Sequence, residues 1–226
     1  MQKGSEAAII RPHAVTRTSS DAAHSILPLA VLEAMRSLDS PSDEEVAEYV
    51  DELLKKRLGL SDTVAAQIGR YGALVRHDEP VKAFELEQIL RLASRRTDAA
   101  LVFADGGRRA ARRSLGRMSA AGRWGARYLP RALGRRVGFR LVRSAADEVF
   151  DATLVRDGRD AVASREDNLP VQATPDGAAC GFFAAALAEL LRQLMDFEGT
   201  MIHSSCRARG DARCEWRTSP SLERTP

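Results

Sequence analysis

Aromatic side chains are scarce: Phe, Trp and Tyr make up 5% of the 226 residues. A core must therefore be filled mainly with Leu, Ala and Val, and a 44% hydrophobic content is enough to do so without disulfide staples. Cysteine is nearly as rare. Three cysteines cannot form a paired disulfide framework, and the lack of any C-x-x-C sets aside a thioredoxin-type redox role. No signal peptide is visible, so a reducing cytoplasm is the expected compartment. The most apolar segment, 178–197, contains Glu189 and Arg192, which marks a core helix rather than a membrane span. No G-x-G-x-x-G follows a strand, so no nucleotide cofactor is expected and autonomous hydride transfer is disfavoured. Lysine supplies only 4 of the 34 basic residues, a bias that genome base composition explains.

What is present organises as one domain. Residues 1–12 read as a flexible tail, 13–146 as helical, 147–217 as hairpin, helix and hairpin, and 218–226 as a disordered tail. The helical part begins with a segment interrupted near Pro28. A well-capped helix is expected over 40–59, with acids in its first turn and Lys55 to Arg57 in its last. A helix over 61–77 follows, then a long amphipathic one over 79–104 with Pro80 at its start. The Gly106-Gly107 pair is expected to break a helix. Pro130 is expected to start another, with Leu133, Val137, Leu141 and Val142 on its buried face. Strands are expected on either side of Asp157-Gly158, a strong hairpin dipeptide, within 148–167. A loop over 168–177 leads to a helix from about Ala178, with Phe183, Leu187, Leu190, Leu194 and Phe197 on one stripe. Two strand-like runs joined near Gly210-Asp211 close the domain. The fold class is α+β, with helices packed on an antiparallel sheet.

The stretch "IHSSCRARGDARCEW", 202–216, carries the most specific chemistry. Cys206 and Cys214 lie on the two arms of the last hairpin. Cys180 opens the preceding helix on the side of Phe183 and Leu187, and His203 stands three residues before Cys206. Three thiolates and an imidazole suit a tetrahedral zinc ion. An offset of three puts His203 and Cys206 on opposite faces of a regular strand, so sharing a metal requires the strand to end or bulge between them. The alternative is three buried cysteines acting as small hydrophobes beside an unrelated histidine.

Between residues 106 and 146 there are twelve arginines and no acid. They are either solvated helix faces or a surface for anions, with Trp124 and Tyr128 placed to stack on a flat ligand. Nucleic acid is not an expected partner, because the acid-rich run 39–52 can neutralise the patch. "RGD" at 209–211 reads as a turn. His13, His24 and His77 are scattered and read as ordinary packing or surface residues.

The segment from Cys180 to Trp216 resembles the C-terminal part of the 4-vinyl-reductase domain. That domain is named for the bacteriochlorophyll 4-vinyl reductase family and also occurs as the sensor module of aromatic-responsive transcription activators. The matching features are Cys180 followed by Phe182 and Phe183, His203-x-x-Cys206, Gly210, and Cys214 before Trp216. The intervals of 26 and 8 residues between the cysteines fit that family's zinc site. His203 stands where the family usually has Glu. Weaker likeness extends to 9–17 and 128–150. The resemblance implies a ligand-binding domain with a pocket between helices and sheet, and a structural zinc on Cys180, His203, Cys206 and Cys214. It also implies a role in (bacterio)chlorophyll biosynthesis. The protein would bind a vinyl-bearing tetrapyrrole and either reduce it with an external donor or pass it to a partner enzyme. Arg123, Trp124, Arg127, Tyr128 and Arg131 are the candidate ligand contacts, and a homodimer is a further expectation. The other function implied is a sensor of an aromatic or lipid-like molecule that signals through a partner protein.

Overall fold

A computed structural model of the protein describes residues 21–40, 58–158 and 160–220. The N-terminal tail, most of the expected helix over 40–59 and the last six residues lie outside these. A short strand β1 (Ala22–Ala23) leads into α1 (Ile26–Asp39). His24 helps start this helix, accepting a hydrogen bond from the Ile26 amide at 3.1 Å through Nδ1. Pro28 does not interrupt it. Pro28 falls in the first turn, where a missing N–H removes no intrahelical bond. Ten of the fourteen residues of α1 are buried, including Leu27, Leu29, Val31, Leu32 and Met35.

The helix expected over 61–77 is present as α2 (Asp62–His77), capped by Ser61, which accepts from the Val64 amide. The single long helix expected over 79–104 is instead three pieces. Pro80 precedes a two-residue strand β2 (Val81–Lys82) that pairs with β1. Then α3 (Ala83–Ser94) and α4 (Ala99–Arg117) are separated by a turn. Arg96 fixes that turn by binding Asp98 through two nitrogens and Asp39, at the end of α1, through two contacts of 2.7 Å. A tertiary ion pair thus overrides an amphipathic pattern that runs straight through the break.

The Gly106-Gly107 pair lies inside α4 and does not break it. It is the contact surface of the helix. A Cβ on Gly106 would come within 3.3 Å of the Val31 Cα, and one on Gly107 within 2.2 Å of the Phe182 carbonyl oxygen. The helix α5 (Ala120–Tyr128) starts on the Ser119 side chain, and α6 (Arg131–Phe150) starts directly after Pro130 as expected. Leu133 is half-exposed rather than buried. The inward face of α6 is built from Gly134, Gly138, Val142, Ala145, Ala146, Val149 and Phe150. Residues 148–150 belong to this helix and not to a strand. The chain leaves it at Asp151 in the left-handed region, with the Ala152 amide bonded back to the Ala146 carbonyl.

The expected hairpin follows as β3 (Thr153–Asp157) and β4 (Asp160–Arg165), with Gly158 at φ +62° in the turn. A short helix α7 (Leu169–Ala173) occupies part of the expected loop. Helix α8 (Cys180–Met195) comes next, then β5 (Gly199–Ser205), a 3₁₀ turn over Arg207–Arg209, and β6 (Cys214–Pro220). Strand β6 runs three residues past the expected end of the domain at 217. The four long strands form one antiparallel sheet in the order β3-β4-β6-β5. Helix α8 is central, packed against α4, α6 and the sheet. It buries Phe182, Ala186 and Leu191 as well as the expected Phe183, Leu187, Leu190 and Leu194, so it is apolar on more than one face. Phe197 lies beyond its end and is half-buried. The class is mixed α+β, as expected, with a second, two-stranded sheet that the sequence did not suggest.

Candidate metal centre and basic groove

Cys180, His203, Cys206 and Cys214 converge. Their ligand atoms all lie within 4.8 Å of one another, and the three cysteines are buried. Each arrives by a different local device. Cys180 is the first residue of α8, placed by a turn in which its amide donates to the Gly177 carbonyl at 3.0 Å. Cys214 opens β6 and pairs with Arg165 of β4. His203 pairs with Trp216 across β5 and β6, so the two share a face, and their rings stack at 5.2 Å and 17°. The register slips between His203 and Ser205, and β5 then ends, which returns Cys206 to the same face as His203. The strand irregularity that a shared metal requires is therefore present.

The Sγ atoms of Cys180 and Cys214 stand 3.9 Å apart, far beyond a disulfide bond of about 2.05 Å. A hydrogen bond from Cys180 lowers the Cys214 thiol below its usual range; burial opposes this, and His203 assists it. Cys180 is pushed up by its bond to Cys214, by burial and by the negative charge of its two neighbours. Three soft donors thus crowd a buried space in which their charges conflict. A bound cation relieves that conflict. The Nε2 atom of His203 is buried with no hydrogen-bond partner among the described residues, as is Trp216 Nε1.

Residues outside the expected set shape the centre. Gly177 has φ +78°, and a Cβ there would stand 3.0 Å from the Cys206 sulfur, so both backbone and space call for glycine. The Asp211 carboxylate accepts from the Cys206 amide at 2.6 Å and shapes the loop between the strands. Arg207 donates to the carbonyls of Glu166 and Ala212, tying that loop to the segment after β4. Arg165 is buried, donates to the Phe150 carbonyl, pairs with Asp167 and lies 4.5 Å over the Phe183 ring. "PDGAAC" carries a turn signal before Cys180 that could have pointed to Gly177. Nothing in the sequence pattern singles out Arg165 or Asp211.

Three of the five expected ligand contacts, Arg123, Trp124 and Tyr128, line an open groove of about 700 Å³. The side chains of Arg127 and Arg131 lie outside the described residues. The groove is bounded by α4, α5 and the end of α8, and not by helices and sheet, where Phe183, Leu187 and Trp216 fill the space. Arg112 and Arg192 add two cations, and Asp196 one carboxylate. Glu189, buried beneath, accepts from Arg112 Nε at 2.9 Å, Arg192 Nη1 at 2.6 Å and Gln193 at 3.0 Å. Burial pushes its carboxyl up, but these three bonds outweigh burial and hold it below the usual range. The groove lies at the opposite end of α8 from Cys180. At 1.5 Å per helical residue, the two sites are roughly 20 Å apart. Comparison with protein-family models, curated proteins and solved structures gave no significant match to this chain.

Proposed function

We propose that the Cys3His centre holds one structural zinc ion, and that the chain is a tetrapyrrole-binding protein of the bacteriochlorophyll 4-vinyl reductase family. Zinc suits the donor set. Zn–S bonds near 2.3 Å place the sulfurs of a tetrahedral site about 3.8 Å apart, close to the 3.9 Å between Cys180 and Cys214. Four protein ligands leave no open position, and the distance along α8 separates the ion from the groove, so its role is to staple the last hairpin to α8. The groove supports the ligand reading. Trp124 and Tyr128 form a tilted pair with ring centres 5.5 Å apart, and the guanidinium-bearing residues Arg112, Arg123 and Arg192 line the same space. That combination suits a flat, apolar ring with carboxylates at its edge. The protein binds and presents the vinyl-bearing macrocycle, and reducing equivalents come from an external donor or a partner enzyme.

The test is a titration with a protochlorophyllide-type pigment followed by absorbance. A saturable spectral shift at micromolar pigment is expected. Arg123→Ala should weaken it by roughly 5- to 150-fold, since a hydrogen bond to a charged group is worth about 1–3 kcal/mol. Zinc content and helicity should stay unchanged. No saturable shift would remove the tetrapyrrole and leave a sensor of a smaller aromatic or lipid-like molecule as the reading to pursue.

A further inference from the structure

At the rim of the groove, the corner where α5 turns into α6 exposes large apolar side chains. Trp124 is 61% exposed, Tyr128 63%, Leu129 37% and Leu133 50%. Trp124 and Tyr128 are four residues apart on α5 and so share a face. Leu129 and Leu133 flank the Pro130 turn. The corner is rigid, because α5 and α6 approach so closely that a Cβ on Gly134 would come within 2.8 Å of the Ala126 carbonyl oxygen. Arg123 precedes Trp124 on α5, and Arg136 lies one turn after Leu133 on α6; both are exposed, and neither forms an ion pair among the described residues. The whole segment 106–146 carries no acid.

We propose that this corner docks on the surface of an anionic lipid bilayer. The aromatic and leucine side chains enter the headgroup–acyl boundary, and the guanidinium groups meet lipid phosphates. Trp and Tyr are at home at that boundary, and a basic rim around an apolar face is the pattern of interfacial binding. No helix among the described residues is long and apolar enough to cross a membrane, so the contact is superficial. Nucleic acid would match the arginines but gains nothing from Leu129 and Leu133. A two-fold contact with a second copy would bury the leucines but set the arginine rim against itself. A bilayer satisfies both features. The proposal does not depend on the tetrapyrrole reading, since it concerns the protein without pigment.

The experiment is co-sedimentation of the full chain with vesicles of phosphatidylcholine alone and of phosphatidylcholine mixed with phosphatidylglycerol. Binding is expected only with the anionic lipid and should weaken as salt rises. Trp216 is fully buried, so a blue shift in emission on adding vesicles reports Trp124. Arg136→Glu should weaken binding at least about five-fold, on the order of 1 kcal/mol for each basic group near an anionic surface. Leu133→Glu should weaken it further. Neither residue lines the pigment groove, so pigment titration should be unaffected in both. Absence of sedimentation with anionic vesicles overturns the proposal. So does binding that neither substitution changes. A dimer seen by light scattering that Leu133→Glu dissolves, with no vesicle binding, would assign the face to a second copy and overturn it as well.

Discussion

His203 and the three cysteines converge because a strand fails to stay regular, and each can be tested singly. Cys206→Ser or Cys214→Ser should abolish the stoichiometric zinc found in protein purified without chelator, because a hydroxyl is a poor replacement for a thiolate. His203→Ala should weaken zinc but leave it measurable, with water filling the vacated position. Metal analysis by mass spectrometry checks both, and wild-type protein without zinc would refute the assignment. A second residue-scale prediction concerns pH. Hydrogen bonds from Arg96 hold the carboxyls of Asp39 and Asp98 below the usual range, and Glu189 is also held low. A carboxyl depressed in the folded state contributes stability above its unfolded value, near 4, and loses it as pH falls through the lower folded value. These three carboxyls should therefore leave the melting temperature unchanged above about pH 5 and lower it below about pH 4. Asp39→Asn leaves Arg96 short of a charge and the Gly59 amide with a weaker acceptor. It should cost about 3 kcal/mol at neutral pH, as for a broken buried pair, and flatten the acid limb. An acid limb as steep as the wild-type one would show that the pair does not contribute.

At the scale of elements, glycines decide how closely the helices pack. Gly107 of α4 sits against the Phe182 backbone of α8, whereas Gly69 of α2 has nothing near the position of a Cβ. Gly69→Ala should stabilise by about 0.5–1 kcal/mol through helix propensity alone. Gly107→Ala gains the same propensity but must separate two central helices, and it should destabilise by about 1–3 kcal/mol or more. Urea denaturation of the two variants separates the effects, and equal shifts would sink the close-packing account. The same contrast explains what the sequence could reveal. The hairpin at Asp157-Gly158, α2 and its Ser61 cap, the start of α6 after Pro130, and the stripe of α8 all follow from local chemistry and were legible. The grouping of Cys180, His203, Cys206 and Cys214 was legible from spacing together with family likeness. The division between α3 and α4 was not, because Arg96 makes that turn by reaching Asp39, 57 residues away. Gly106 and Gly107 read as a break only because their partners, Val31 and Phe182, are remote in sequence. The inward face of α6 was only partly legible for the same reason: Val142 is buried as expected, but Leu133 is half-exposed. A stripe of Leu and Val looks like a core face, yet Gly138 is what admits the Leu194 backbone.

For the whole molecule, α8 joins two halves of different construction. Its central and C-terminal parts pack against α4, α5 and α6, within a helical body with many fully buried aliphatic side chains. The β5–β6 hairpin has β4 on one side and, among the described residues, no strand on the other. Its loop meets the start of α8 at the Cys3His cluster, where the proposed zinc would join them, and Arg207 ties the loop to the segment after β4. Removing zinc should then loosen the molecule unevenly. Zinc binding to small structural sites is worth on the order of 10 kcal/mol. The helical body lies outside the proposed metal centre, so only part of that should appear as lost global stability. A loss of even about 4 kcal/mol lowers the Tm of a chain this size by roughly 10 °C. Chelation should therefore reduce Tm by at least that amount without abolishing helicity at 25 °C. Hydrogen exchange should rise first in 176–182 and 199–220, while amides of α1 and the middle of α4 keep their protection. Readdition of zinc should restore both segments together, because one ion ties them. Uniform loss of protection along the chain would show that the ion supports the entire fold. Unchanged exchange in 199–220 would show that the hairpin is held by Trp216 and its neighbours alone, and that the metal centre is not a staple.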